Sequence, residues 1–558
     1  MSRFIDTLLD TARGSARGMV TGAPAHPVRR DWNGVHARAR RVAAAIAAEG
    51  MRRGCAIAVL AGEPAEVASA VQGVWLAGAS VTMLHQPTPR TDLAEWSQDT
   101  VGVLTMIGAQ CVLLGTEFQA LGAVLGEHGM PYLVLSELLE RSDPGEEFAV
   151  AAAEETDTAL LQLTSGTTGP PKAVRITHGN FYTNITDIAG RLRLVADRDV
   201  TASWLPLFHD MGMIAFLAVP MVLGLELVKI TPLDFLRDPL VWPALMSEYG
   251  ATVTGAPGFA YAVAGKRLAE SPEETAFDLS SLRIALNGAE PVDEEVMAGF
   301  VEAGARFGLR HDCVVSAYGM AEATLAVSAA PLGGGLVVDE VDEAVLNRDN
   351  RAVPAKAGTP AKRFGKLGLP LPGVEVGVMS SDGTLIGDRE VGELLVRGDA
   401  VTSEYLTADG PVSAQDEQGW LHTGDLGYLA DGQVVVCGRI KDVIVLDGRK
   451  FFPTDIERAA ASVDGVRAGN AAAVRVEPGT ERERFAVVAE SSVASDPEAE
   501  FALAEQIAAR VAHSVGVRPA VVRVVPPGGL PKTSSGKLRR TDAAGYLATV
   551  EHGNPVLA

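Results

Sequence analysis

A repeated switch between short apolar runs and longer helical ones restricts this chain more than any other feature. Val35 to Glu49 reads as an Ala-rich helix stopped by Gly50, and Ala56 to Leu60 as a buried strand. Ala65 to Leu76 is again helical and Ser80 to Leu84 extended. Such βαβ alternation predicts a mostly parallel sheet covered by helices, an α/β fold. The same grammar returns later, with a strand at Leu282 to Leu286, a polar loop at Asn287 to Pro291 and an amphipathic helix from Asp293. Loops at strand ends are where α/β proteins bind ligands. From Gly368 the texture changes to short β runs, such as Gly392 to Arg397 and Gln433 to Cys437, divided by Gly and Asp turns. After Gly438 and Arg439 a last unit begins, with a strand at Val443 to Leu446 and a helix opened by Thr454 and Glu457 at capping-box spacing. A chain of 558 residues exceeds what one core organises. The expected division is a large N-terminal domain, 1–438, whose 368–438 portion is β-rich, and a small α+β domain, 439–558. The tail from Leu530 to Arg540, rich in Pro, Ser, Gly and Lys, reads as loop rather than core.

Charge narrows the partners. With 48 basic and 70 acidic residues the net charge is −22, which repels nucleic acid and anionic membrane surfaces, so an anionic ligand must meet a local basic patch. Cys55, Cys111, Cys313 and Cys437 lie far apart without a CxxC pair, which suggests neither a disulfide framework nor a zinc site and fits a reducing cytoplasm. Met1 to Arg17 is interrupted by Asp6, Asp10 and Arg13 and lacks a signal-peptide core. Met211 to Leu227 is short for a bilayer span and contains Glu226, with Lys229 close behind, so it reads as buried core.

The most informative segment is Thr164-Ser165-Gly166-Thr167-Thr168-Gly169-Pro170-Pro171-Lys172, after the apolar strand Ala159 to Leu163. A loop dense in Gly and hydroxyl residues presents N–H and O–H donors to phosphate oxygens, and Lys172 adds a compact positive charge. It is not a Walker loop, because the GxxxxGK[ST] spacing is absent, and taken alone it also fits a flexible turn. Three more segments stand out: Asn287-Gly288-Ala289-Glu290 after a strand, Ala317-Tyr318-Gly319-Met320-Ala-Glu322-Ala-Thr324 reading as a helix start, and Trp420-Leu-His-Thr-Gly-Asp425 with its acid in a turn. A tyrosine can stack on a purine, a carboxylate can hold Mg²⁺, and an aspartate can accept both ribose hydroxyls. Taken singly, the plainer readings fit better: a packed aromatic, a helix-face charge and an Asx turn.

Their order does not. Together with Gly438-Arg439-Ile-Lys441-Asp442 and Ser534-Ser-Gly-Lys537, these segments resemble the core motifs of the adenylate-forming superfamily, which includes acyl-CoA synthetases, peptide-synthetase adenylation domains, luciferases and fatty acyl-AMP ligases. The resemblance spans about residue 30 to residue 540. It implies a C-terminal domain that rotates about a hinge, and a first step in which a carboxylate attacks the α-phosphate of ATP. By motif position the resemblance implies that Thr164, Ser165, Gly166, Thr167, Thr168, Gly169 and Lys172 would cradle phosphates, with Glu322 and Thr167 near Mg²⁺. Tyr318, Gly319, Met320 and the Asn287, Gly288 and Ala289 loop would flank adenine; Asp425 and Arg439 would hold the ribose. Lys441 matches the hinge position, and Lys537, rather than nearby Lys532, matches the lysine that bridges carboxylate and α-phosphate.

Trp204-Leu-Pro-Leu-Phe-His209-Asp-Met-Gly-Met213 resembles the pattern at the mouth of the acyl tunnel in fatty acyl-AMP ligases. With Phe259, the residues Trp204, His209 and Met213 form the implied acyl site, although His209 also fits a structural core histidine. The long connection containing Val337 to Lys366 resembles an insertion that restrains domain rotation and disfavours CoA in those ligases; a variable surface loop is the alternative. The acceptor implied is the phosphopantetheine thiol of an acyl carrier protein, with a fatty acyl-CoA synthetase as the rival and a non-catalytic binding protein of the same fold as the outsider. Lys532, Lys537, Arg539 and Arg540 form a possible docking patch for the acidic carrier on the tail.

Overall fold

The computed structural model describes residues 1–87, 91–140, 148–164, 171–446, 449–467, 469–480, 482–532 and 537–548. Two large sheets dominate it. One has eight strands, with Ala56–Leu60, Ser80–Met83, Ala109–Leu114 and Tyr132–Val134 in parallel register and Thr158–Thr164 pairing antiparallel with Lys172–Thr177. The other has nine, in which Val200–Ser203, Glu226–Lys229, Val253–Ala256, Ile284–Asn287 and Val314–Gly319 run parallel. Ala56–Leu60 is buried at every position, as a strand covered on both faces must be.

Between the sheets lies the largest apolar cluster. Phe4 sets its ring edge-on to Trp75 and Phe181, at centroid distances of 4.9 and 5.0 Å. All three are essentially inaccessible to solvent, and each stabilises the fold by about 1.5–3 kcal/mol relative to exposure. The helix Trp32–Ala48, N-capped by Asp31, packs on Pro64–Leu76 in this layer. A four-stranded antiparallel sheet, from Glu375–Met379 to Gln433–Arg439, supplies the β-rich part. Beyond it, the three-stranded sheet Ala471–Val476, Arg484–Glu490 and Val521–Val525 packs against the helices Pro453–Ala461 and Pro497–Val515 around its own core. No helix among the described residues is long and apolar enough to cross a membrane, and the apolar stretch from Met211 is buried as a π-helix, Met211–Ala218, and a short α-helix, Val219–Leu223.

Four local expectations are corrected. Tyr318 does not open a helix: it ends the strand Val314–Gly319, and only a 3₁₀ turn, Ala321–Ala323, follows before the chain returns antiparallel as Ala326–Ala329. Thr324 takes a left-handed φ of 64°, and a Cβ on Gly319 would stand 2.1 Å from the Leu325 carbonyl oxygen, so a tight reversal replaces the helix. Asp425 lies inside the strand Leu421–Ala430, with the turn-forming φ of 69° belonging to Gly424. The helix Pro453–Ala461 starts on Pro453 without a side-chain cap, because the Glu457 carboxylate is taken by Arg540 and the Ala473 N–H. The tail is partly core: Leu530 is buried, and Arg540 is held by Glu457 at 2.7 Å and Asp442 at 3.0 Å.

Candidate active site

The antiparallel pair of strands around the phosphate-type loop places Thr164 opposite Lys172. Ser165, Gly166, Thr167, Thr168 and Gly169 lie outside the described residues, as do Ser534 to Gly536. From Lys172 the site opens into a continuous cleft of about 2300 Å³ that joins both large sheets to the C-terminal unit.

At one end are Glu322, Lys172 and Tyr405. Lys172 Nζ lies 3.4 Å from Glu322 Oε1, and the Tyr405 hydroxyl donates to the same oxygen at 3.1 Å. The ammonium also sits 3.6 Å from the centre of the Tyr405 ring. Burial and the Glu322 charge push the Tyr405 phenol pKa up, so it stays a donor. Among the described residues no group of three metal-type ligands exists. One carboxylate oxygen fits Mg²⁺, which takes few protein ligands and completes its shell with phosphates and water.

Next along the cleft, Tyr318 donates to Asp425 Oδ2 at 2.5 Å, and Arg439 Nε reaches Asp425 Oδ1 at 2.9 Å. Strand register makes this possible, because Asp425 and Arg439 stand directly opposite one another. Burial raises the Asp425 pKa, while Arg439 and then Tyr318 oppose the rise. Gly288, Ala289, Gly319 and Met320 line the adjoining wall, with a left-handed φ of 69° at Ala289 turning the backbone along it. Asn287 is set behind this wall; its Oδ1 has no partner among the described residues and its Nδ2 makes only a long contact, 3.5 Å, to the Ala256 carbonyl.

Lys537 enters from the C-terminal unit. It lines the cleft, as do Asp210, Glu290 and Asp425, and its charge favours the ionised form of all three. Burial works to raise the Asp210 pKa, but His209 and then Lys537 hold it down at about 2. Glu290 is pushed up by burial while it accepts from the backbone N–H groups of Phe259 and Gly258. Lys441 occupies the 3₁₀ turn Ile440–Asp442 on the cleft wall, burial pushes its pKa down, and its carbonyl accepts from Arg475 Nη1 at 2.9 Å.

The apolar branch runs past His209 and Phe259 to Phe216, Val219, Val253, Leu286 and Leu325. Trp204 and Met213 are not on its surface. Trp204 stacks on Phe235 at 4.2 Å and meets Phe259 edge-on at 6.1 Å, backing the wall, while Met213 is wholly inside the core. Buried Lys229, its pKa lowered to about 7 by burial, donates to the carbonyls of Leu205 and Ile230 and so braces the segment behind His209. His209 Nδ1 lies 2.7 Å from Asp210 Oδ1. Sequence reading missed His85, on the cleft, and Tyr405, which sits against Lys172 and Glu322; neither carried a signal. Phe216, also on the cleft, falls in the apolar run Ile214 to Leu225, which the sequence offers as pocket wall.

An acid and arginine group suited to a ribose, a lysine and glutamate suited to phosphates and Mg²⁺, and an apolar branch, all in one cleft that Lys537 also lines, define the class of adenylate-forming enzymes. Residues 19–406 match the family model described as AMP-binding enzyme, and the chain belongs to that family. It is 50% identical over 97% of its length to "Putative ligase Rv1013" of Mycobacterium tuberculosis, covering 99% of that protein. It is 32% identical to the long-chain-fatty-acid–AMP ligase FadD32 of Mycolicibacterium smegmatis, over 71% of this chain and 69% of that one. Its fold superposes with a TM-score of 0.89, at 29% identity and over 99% of this chain and 98% of the other, on a structure from work on fatty acyl-adenylate ligases of E. coli and L. pneumophila.

Proposed function

We propose that this protein activates a medium- or long-chain fatty acid with ATP and passes the acyl group to the phosphopantetheine thiol of an acyl carrier protein. The observation that carries the reading is one cleft lined by Lys537, by the Asp210, Glu290 and Asp425 carboxylates, and by an apolar branch able to take a chain. In the first step a substrate carboxylate oxygen bonds to the α-phosphorus of ATP, the bond to the bridging oxygen breaks, and pyrophosphate leaves. The carboxylate is already ionised, so positioning and charge stabilisation by Lys537 and Lys172 suffice. Asp425 and Arg439 hold the ribose and Tyr318 and the Gly288–Ala289 wall the base, while Glu322 with Thr167 would hold Mg²⁺, which would neutralise phosphate charge. In the second step the thiol sulfur bonds to the acyl carbon, AMP leaves, and the thiol proton goes to solvent.

The carrier, rather than CoA, is favoured by the connection that contains Val337 to Lys366. It folds as the hairpin Val338–Asp342 and Ala361–Gly365 with the helix Glu343–Asp349 between. It grips the unit after residue 439: Lys362 Nζ meets Asp455 Oδ2 at 2.6 Å, Asn347 accepts the Lys450 N–H at 3.3 Å, and the rings of Phe364 and Phe452 lie 5.8 Å apart. Three contacts of this kind oppose the rotation that thioester formation on CoA requires. The tail has less to offer a carrier than its charges suggest, since Arg540 is engaged by Asp442 and Glu457 and Arg539 is paired with Asp542 at 2.9 Å. ATP–pyrophosphate exchange across a series of fatty acids tests the first step: strong exchange with chains of eight carbons or more is expected, and none with any acid refutes it.

A further inference from the structure

We infer that Tyr405 is a positioning residue for the phosphate end of this site, its hydroxyl fixing the Glu322 carboxylate and its ring supporting Lys172. The inference rests on the proposed roles of Glu322 and Lys172.

Tyr405 reaches the site through strand pairing. The strand Glu404–Thr407 runs antiparallel to Lys172–Thr177, with Tyr405 opposite Val174. Residues two apart share a face, so Lys172 is the diagonal neighbour of Tyr405, close enough for the ammonium to rest on the ring. Glu322 arrives from the other side on its 3₁₀ turn, and that turn is tied to the same strand region by the Thr402 N–H, which donates to the Glu322 carbonyl at 2.8 Å. Tyr405 and Glu322 are therefore held together by main chain as well as by side chains.

Two donors share Glu322 Oε1, and they differ in what they can do. The Lys172 contact is long, on a flexible stem, and a lysine that turns toward a phosphate gives up its carboxylate. The Tyr405 bond is shorter, at 3.1 Å, and comes from a ring with two torsions. Being neutral, that donor leaves the carboxylate its charge for a divalent cation. Lys172 gains its direction from the ring face instead, through a cation–π contact.

Two substitutions separate these parts. Tyr405→Phe keeps the ring and removes the hydroxyl; Tyr405→Leu removes both. The readouts are ATP affinity by calorimetry in EDTA and in a Mg²⁺ series, ATP–pyrophosphate exchange against Mg²⁺, and thermal melting. For Tyr405→Phe the Mg²⁺ needed for half-maximal exchange should rise about tenfold, the scale of one charge-assisted hydrogen bond. Its ATP affinity in EDTA, its melting temperature and its rate at saturating Mg²⁺ should match the parent within about twofold. Tyr405→Leu should in addition weaken ATP binding in EDTA several-fold. An unshifted Mg²⁺ dependence in Tyr405→Phe, or an equal loss of ATP affinity with and without Mg²⁺, overturns the inference. Glu322→Gln locates the fault: if it shifts the Mg²⁺ dependence and Tyr405→Phe does not, only the role of Tyr405 falls. If neither shifts it, the reading of Glu322 falls as well.

Discussion

Asparagine at position 425 keeps the shape of the side chain and removes its charge. Asp425 is 5% exposed, and its two oxygens are committed, one to Tyr318 at 2.5 Å and one to Arg439 at 2.9 Å. In Asp425→Asn one of those donors must face an N–H. A hydrogen bond to a charged group contributes about 1.5–3 kcal/mol. Arg439 is half exposed, so its share is screened and belongs at the low end. Adding a weakened grip on the two ribose hydroxyls that Asp425 is proposed to hold gives about 3 kcal/mol, or about a hundredfold rise in the KM for ATP. Tyr318→Phe, which loses one hydroxyl and keeps its stacking face, should cost only a few-fold. Exchange kinetics with ATP varied at saturating fatty acid measure both. The burial-raised pKa also fixes a sign: ATP affinity should fall on the acid side as Asp425 takes a proton, at higher pH than an exposed aspartate would, and Asp425→Asn should lack that limb. An ATP KM within threefold of the parent, or an equal rise in the KM for the acid, refutes the assignment.

Other consequences are open to measurement. If Lys537 has the proposed role, its charge acts on the developing transition state, and Lys537→Ala should lower ATP–pyrophosphate exchange by about 10²- to 10³-fold while ATP binding by calorimetry changes little. In Gly255→Ala the new Cβ would lie 2.8 Å from Phe216 Cζ, forcing the ring to shift in the apolar branch; exchange with the longest acids should drop about tenfold relative to shorter ones, as overpacking costs about 1–3 kcal/mol. His178 is wholly buried beside Ser2 Oγ at 2.9 Å, and burial lowers its pKa from 6.5 to about 4. The unfolded chain then takes the proton first, so stability is complete above about pH 6.5 and falls by about 3 kcal/mol toward pH 4. Melting curves of His178→Gln should show a shallower acid limb, and an identical one refutes the linkage.

Much of the fold was legible because its signals are local. Ala56–Leu60 is an uninterrupted apolar run and occupies the strand it announces, and Asp293 caps the helix it precedes. Misreadings arose where a distant partner decided the outcome. The Ala-, Met- and Glu-rich segment after Tyr318 favours helix by composition, yet the close approach of Gly319 to the Leu325 carbonyl folds it back as a strand. The Thr454 and Glu457 spacing suggested a cap, but Arg540 claims the glutamate. Among site residues, the ordered motifs pointed to Lys172, Glu322, Tyr318, Asp425, Arg439 and Lys537, all of which line one cleft. Tyr405 carried no signal, because its place beside Lys172 comes from pairing between strands far apart in the chain. Trp204 and Met213 share the apolar character of true lining residues, and only packing shows that they stand behind the wall.

The most direct test of the proposed function is to form the adenylate from ATP, Mg²⁺ and a fatty acid, and then divide it between CoA and a phosphopantetheinylated carrier protein. Acyl-AMP that persists with CoA and is consumed by the carrier is the predicted result. Rapid acyl-CoA formation would contradict it.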